Sequence, residues 1–338
     1  MATLNRPVLV APDKFKGTLS AAEVAAAIAR GLAVHGVEAD ICRIADGGEG
    51  TLDVVLDARG GELFRCPATD ALGRQIDARF ALLDEKTALV QSSDAIGLEL
   101  IPEDERDALA ASSRGVGELI AAAAASGVRD VLVGVGGTAS TDGGAGAIAV
   151  LRERKLIGNK GRLKGCPRIT ALCDVRAAWE QAPTVFAPQK GATAEEVGLL
   201  VRRLDELAGE LPQDPRGKLM TGAGGGLAGG LWAACGAELK SGPGFVLDAA
   251  GFTPRMLAAR GVITGEGSLD RQTLLGKAVG EVATRARQAG VPCHGIVGRM
   301  GMTEFDARVL DFESVVTAGS VDEISAVAAG LVARLAPA

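Results

Sequence analysis

Two carboxylates set among glycines, Ala45-Asp46-Gly47-Gly48-Glu49-Gly50-Thr51, follow a strand-like segment that ends at Ile44. Ligands of parallel α/β sheets sit at the carboxyl ends of strands, so a loop of this kind can converge on a metal-bound phosphate or a substrate hydroxyl. The plainer alternative is a turn whose acids cap the next helix. A second segment, Gly134-Val135-Gly136-Gly137-Thr138-Ala139-Ser140-Thr141-Asp142-Gly143-Gly144, lies between a strand-like run and a helix-like one. Glycine-rich backbone at a helix N-terminus presents N–H groups to an anion without steric cost. Its GxGxxA spacing also imitates a dinucleotide fingerprint, which requires an acid about 20 residues on. The basic stretch 154–164 supplies none.

Three further loops carry the same chemistry. Gly265-Glu266-Gly267-Ser268-Leu269-Asp270 leads toward Lys277 and reads as a loop after a strand end, fit for a phosphate or a metal. Pro188-Gln189-Lys190-Gly191 offers Lys190 as a point charge for phosphate. Asp13-Lys14-Phe15-Lys16-Gly17 follows the first strand. The glycines at 222–230 read as close helix packing. Gly276-Lys277-Ala278 lacks the hydroxyl residue of a P-loop. With only His35 and His294, a Ser–His–Asp arrangement has no support, and proton transfer falls to a carboxylate. Phosphoryl transfer suits that inventory.

Composition narrows the field. The chain has 47 glycines in 338 residues, about twice the usual ~7%, and only two Trp, eight Phe and no Tyr. Ring faces for stacking bases are scarce, and a net charge of −6 opposes broad polyanion binding, so no nucleic-acid partner is expected. Six cysteines without CxxC spacing read as reduced thiols. The first residues lack the pattern of a secretory signal, and no apolar run is long enough to span a bilayer. The expectation is a cytoplasmic protein with no membrane partner.

The elements that must hold these loops alternate as strand and helix. Val8-Leu9-Val10 precedes a helix opened by the capping box Ser20/Glu23, and 39–44 precedes a helix near 52–56. The far end repeats the pattern, with short strands at 261–264, 294–297 and 314–317, and a last helix boxed by Ser320/Glu323. Between them lie extended segments, a turn at Ala71-Leu72-Gly73-Arg74, a helix at 117–125, the strand Val131-Leu132-Val133 and a helix boxed by Thr193/Glu196. The simplest organisation is two α/β domains. Residues 1–60 with 245–338 form one, and 61–244 form a mixed α/β insertion that carries the glycine-rich phosphate loop. Such a design places its site in the cleft between the domains.

These segments, in this order, resemble the type I glycerate kinase family. The resemblance rests on Ala11-Pro12-Asp13 with Phe15-Lys16-Gly17, the 45–51 loop, Leu72-Gly73-Arg74, Gly117-Glu118-Leu119-Ile120, and Gly136-Gly137 through Asp142-Gly143-Gly144. It continues through Cys173-Asp174-Val175, Pro188-Gln189-Lys190-Gly191-Ala192, the 222–230 glycines, and Ile263-Thr264-Gly265-Glu266-Gly267 with Asp270, Gln272-Thr273 and Gly276-Lys277. The family implies a flavodoxin-like parallel-sheet domain built from both chain ends with a mixed α/β domain inserted. It also implies ATP-dependent phosphorylation of D-glycerate with Mg²⁺, with 2-phosphoglycerate favoured over 3-phosphoglycerate as product.

On that resemblance Asp46, Asp174 and Lys16 are the expected catalytic residues, and Glu49, Arg74, Lys190 and Asp270 the substrate contacts. Gly136, Gly137, Thr138, Ser140, Thr141, Gly143 and Lys277 would hold the nucleotide, and Asp142 and Glu266 the metal. Departures are Arg176-Ala177-Ala178-Trp179 after Asp174-Val175, a shorter 151–170 region, Gln91 in place of a glutamate and Ser268 in place of an arginine. They motivate an alternative, a homologue that binds a hydroxy acid or nucleotide with little turnover. A nicotinamide oxidoreductase ranks behind it. The sequence leaves the oligomeric state open, a homodimer included.

Overall fold

The computed structural model describes residues 6–15, 17–274, 276–303 and 308–335. Contacts group the chain into two units, Met1–Ala45 with Val246–Ala338, and Asp46–Phe245. Numbered along the chain, the strands are β1 (Val8–Pro12), β2 (Ala39–Ile41), β3 (Glu62–Thr69), β4 (Gln75–Leu82), β5 (Thr87–Gln91) and β6 (Asp130–Gly134). They continue as β7 (Ile157–Gly158), β8 (Gly161–Arg162), β9 (Arg168–Cys173), β10 (Glu238–Ser241), β11 (Val262–Leu269), β12 (Cys293–Met300) and β13 (Ser314–Thr317).

The first unit carries a parallel sheet in the order β13-β12-β11-β1-β2. Read from β2, this is the 2-1-3-4-5 order of flavodoxin-like folds, with its switch point between β1 and β11. Every residue of β1 is buried, and its pleat explains how. Val8 and Val10 pack with the helices Ala21–Ala33 and Val321–Leu331 on one face, while Leu9 and Ala11 face the helices Phe252–Ala258 and Ala278–Ala289 on the other. Both expected capping boxes form here, with Ser20 and Ser320 each exchanging hydrogen bonds with the glutamate three residues on.

The loop expected at 265–269 is strand instead. Glu266 pairs with Val297 and Leu269 with Met300, so β11 and β12 run together well past the core. The glycines that suggested a loop serve close inter-strand approach: a β-carbon on Gly265 would lie 2.0 Å from the Ile296 carbonyl oxygen.

The central unit holds a mixed sheet in the order β10-β9-β6-β5-β4-β3. β10, β9, β6 and β5 are parallel, and β4 and β3 complete it as an antiparallel hairpin. The Ala71-to-Arg74 turn closes that hairpin, with Asp70 Oδ1 accepting from the Leu72 and Arg74 N–H groups at 2.9 and 2.8 Å. Residues 46–60, expected with the chain ends, group with this unit. Their helix, Thr51–Arg59, is fastened to β5 by the Leu52 N–H, which donates to Gln91 Oε1. The helix Ala194–Glu210 begins at the expected Thr193/Glu196 box. Among the described residues no helix is long and apolar enough to cross a membrane.

Candidate active site

In the central unit the carboxyl ends of β5, β6 and β9 release Ser92 and Ser93, the 135–144 loop, and Asp174. Parallel strand ends are where such sheets bind ligands. The acidic loop packs directly onto this edge. The Gly136 N–H donates to the Gly47 carbonyl at 3.3 Å. A β-carbon on Gly136 would lie 2.8 Å from Gly48 Cα and 3.1 Å from Asp174 Cβ, and one on Gly48 would lie 3.0 Å from Asp46 Oδ1. Only glycines allow that approach, and it leaves Asp46 and Asp174 on either side of one backbone contact. Asp46 Oδ1 accepts from the Gly48 N–H at 3.0 Å, and Glu49 is exposed at the loop's tip.

The 136–144 loop is built around buried polar groups. Lys190 is 5% exposed, and its Nζ donates to the Ser140 carbonyl at 2.5 Å and to Thr138 Oγ1 at 3.3 Å. Burial pushes its ammonium down to about 8, against the opposing pull of Asp174 and Asp142. Ser140 and Thr141 are 0% and 1% exposed, and their hydroxyls have no hydrogen-bond partner among the described residues. Buried polar groups are otherwise almost always bonded, so two adjacent orphans on a glycine-rich turn are candidates to meet a bound ligand or water.

Asp142, expected to hold a metal, is occupied by the chain itself. Its Oδ2 accepts from the Ser113 N–H and Oγ at 2.8 Å each and from the Gly146 N–H at 3.1 Å, while Oδ1 accepts from the Gly144 N–H at 3.0 Å. It thereby caps the helix Ala145–Glu153, whose own N-cap residue, Gly144, has no side chain. Gly143 rests on the buried Trp179, whose Nε1 donates to the Leu204 carbonyl at 3.1 Å. The 222–230 glycines pack as expected: a β-carbon on Gly230 would lie 2.1 Å from the Gly143 carbonyl oxygen.

Arg74 lies on the β3–β4 turn and pairs with Asp70 and Glu105. Lys16 lies outside the described residues. In the first unit Asp13 directly follows β1, its N–H donating to the Gly265 carbonyl at 2.8 Å, and Glu266 sits on the adjoining β11. Glu266 is 5% exposed and accepts from Thr273 Oγ1 at 2.6 Å. Burial pushes its carboxyl up to about 7, opposed by Thr273 and Lys277 and helped by Asp13 and Asp270. Asp270 follows β11, and Lys277 precedes the helix Ala278–Ala289.

Ser92, Ser93 and Ser113 are not among the residues that the sequence pattern singles out, and Trp179 enters there only as a departure from the family pattern. Ser92 Oγ donates to the Gly136 carbonyl at 3.1 Å, and Ser93 Oγ is buried without a partner among the described residues. Both follow a strand end directly, the criterion that singled out the other loops. Among the described residues, no group of three or more His, Cys, Asp or Glu could by itself hold a metal ion. Mg²⁺ needs no such cage: it takes one or two carboxylates and completes its shell with phosphate and water. The hard oxygens of Asp46 and Asp174 fit that demand.

A sequence model described as the glycerate kinase family matches residues 8–164 and 155–336. The chain is 37% identical over 327 residues to the glycerate kinase of Bacillus subtilis (strain 168), covering 86% of this chain and 84% of that one. It is 34% identical over 325 residues to the glycerate 2-kinase of Escherichia coli (strain K12), covering 87% and 85%. A solved structure described as a candidate glycerate kinase 2 from Salmonella typhimurium LT2 matches with a TM-score of 0.73 at 30% identity, covering 98% of both chains.

Proposed function

The chain belongs to the glycerate kinase family, and we propose that it moves the terminal phosphoryl group of ATP onto D-glycerate to give 2-phosphoglycerate. The observation that carries the phosphate site is the pair of buried, unpartnered hydroxyls at Ser140 and Thr141 above the Lys190 ammonium. Loop N–H groups, two hydroxyls and one buried cation form an anion cradle. The choice of the 2-hydroxyl follows the relative described as a glycerate 2-kinase.

Asp46 and Asp174 supply the remaining chemistry. Asp174 orients the substrate hydroxyl and takes its proton as the hydroxyl oxygen bonds to the γ-phosphorus and the bond to the ADP oxygen breaks. Asp46, with Asp174, would hold Mg²⁺, which offsets phosphate charge when bound. Glu49 and Arg74 are proposed contacts for the small acid, with Arg74 exchanging its exposed Glu105 partner for the substrate carboxylate. The test is phosphorus NMR of purified protein with MgATP and D-glycerate. The 2-phosphoglycerate resonance with stoichiometric ADP is expected; no ADP above background overturns the assignment, and the 3-isomer overturns the regiochemistry.

A further inference from the structure

We propose that Gln91 is a positioning residue for the acidic loop at 46–50, acting as a helix cap delivered from a neighbouring strand. The helix Thr51–Arg59 begins at Gly50, which has φ +85° and no side chain to cap with. The first N–H groups of any helix lack intrahelical acceptors. Gln91, the last residue of β5 and 2% exposed, fills the gap: its Oε1 accepts from the Leu52 N–H at 2.9 Å. Where that helix starts fixes where Asp46 to Glu49 end.

The other half of the amide explains why the residue is glutamine. Nε2 donates to Asp94 Oδ2 at 2.8 Å, and Asp94 Oδ1 accepts from Arg79 Nε at 2.8 Å. Arg79 also reaches Asp53 Oδ1 at 3.4 Å, on the same capped helix. Position 91 must therefore accept on one side and donate on the other. A carboxylate does the first and not the second. The next residue ties in the second loop, since the Ser92 N–H donates to the Gly134 carbonyl at 2.8 Å and Ser92 Oγ to Gly136. One strand end thus sets both the acidic and the glycine-rich loop.

The kinetic arm of the test rests on the function proposed above, and the exchange arm does not. Gln91→Glu places a second carboxylate against Asp94, with Arg79, Asp53 and Arg65 as the other charges facing the pair. At neutral and alkaline pH kcat falls about ten- to a hundredfold, the scale of a displaced catalytic group. It recovers toward acid pH, where the two carboxyls share a proton. Adding Asp94→Asn restores wild-type kcat and removes the pH dependence, while the KM values change less than kcat throughout. Independently, Gln91→Leu speeds amide hydrogen exchange of residues 47–52 and leaves the amides of β6 protected. A Gln91→Glu enzyme with a wild-type pH profile, a loss that Asp94→Asn does not relieve, or unchanged exchange at Leu52 overturns the proposal. Absence of turnover in the wild type sinks the kinase assignment alone, and exchange at Leu52 still decides the role of Gln91.

Discussion

The ammonium nitrogen of Lys190 lies 2.5 Å from the main-chain oxygen of Ser140, inside the turn that carries the two orphan hydroxyls. The cation therefore fastens the loop through the Ser140 carbonyl and the Thr138 hydroxyl, and it would add positive charge to the proposed cradle. Lys190→Met removes both effects, and kcat/KM for ATP is expected to fall by roughly tenfold or more, the scale of one charge-assisted hydrogen bond. The pH dependence has two opposite signs. In the wild type kcat/KM declines as pH rises through about 8, where the buried amine loses its charge. Stability moves the other way. Above about 8 and up to the ordinary lysine range the unfolded chain binds the extra proton, so unfolding free energy contributed by this group rises with pH. Steady-state kinetics and urea titrations across that window check both slopes, and Lys190→Met should abolish them together.

Ser140 and Thr141 set binding against stability. A buried hydroxyl without a partner costs about 1–3 kcal/mol, and Thr→Val keeps the shape while deleting the hydroxyl. Thr141→Val and Ser140→Ala are expected to unfold at the same or higher urea concentration than the wild type while KM for ATP rises severalfold. Loss of stability in both, with KM unchanged, would show the hydroxyls to be structural.

Trp179 gives the cradle an optical reporter. A β-carbon on Gly143 would lie 2.6 Å from the indole Cη2, and one on Gly229 2.6 Å from Cε3, so both glycine segments lean on a single ring. The chain has two tryptophans, and Trp232→Phe leaves Trp179 as the sole emitter. Saturating MgATP should change its emission, with half-effect at the concentration that half-saturates turnover. Trp179→Ala should destabilise the protein by about 3–5 kcal/mol, the usual cost of emptying an aromatic site, and Trp179→Phe by less.

How much of this was legible in sequence follows the range of each interaction. The three capping boxes were readable because their partners are three residues apart. The resemblance to a kinase family was readable because many short motifs stand in one order. The strand at 265–269 was not, since its partner lies on β12 and glycine there signals close approach as readily as a turn. Nor were the contacts of Asp142, whose Oδ2 accepts from Ser113, 29 residues away in the chain. Burial of Lys190 and the two-sided amide of Gln91 likewise depend on distant contacts. Residue type showed what chemistry was available, and only the packing shows which groups the protein has already used.

Two buried groups of the first unit should shape its stability below about pH 7, with opposite linkage. His294 is 1% exposed, its Nδ1 lies 2.8 Å from Ser314 Oγ, and burial holds its imidazole below the usual range. Its stabilising contribution is complete above the unfolded histidine value and is lost as pH falls through the lower folded one. Glu266 behaves in reverse. Its folded value of about 7 exceeds the ordinary 4.5, so its contribution is complete below the ordinary value and disappears as pH climbs past about 7. His294→Gln should remove the gain in stability that accompanies rising pH below the ordinary histidine range and leave the Glu266 loss intact. Glu266→Gln keeps an acceptor for Thr273 and should remove only the loss of stability between the ordinary carboxyl value and about 7. Thermal unfolding followed by circular dichroism from acid to alkaline pH separates the two, and a gain or loss that survives its own substitution refutes that assignment.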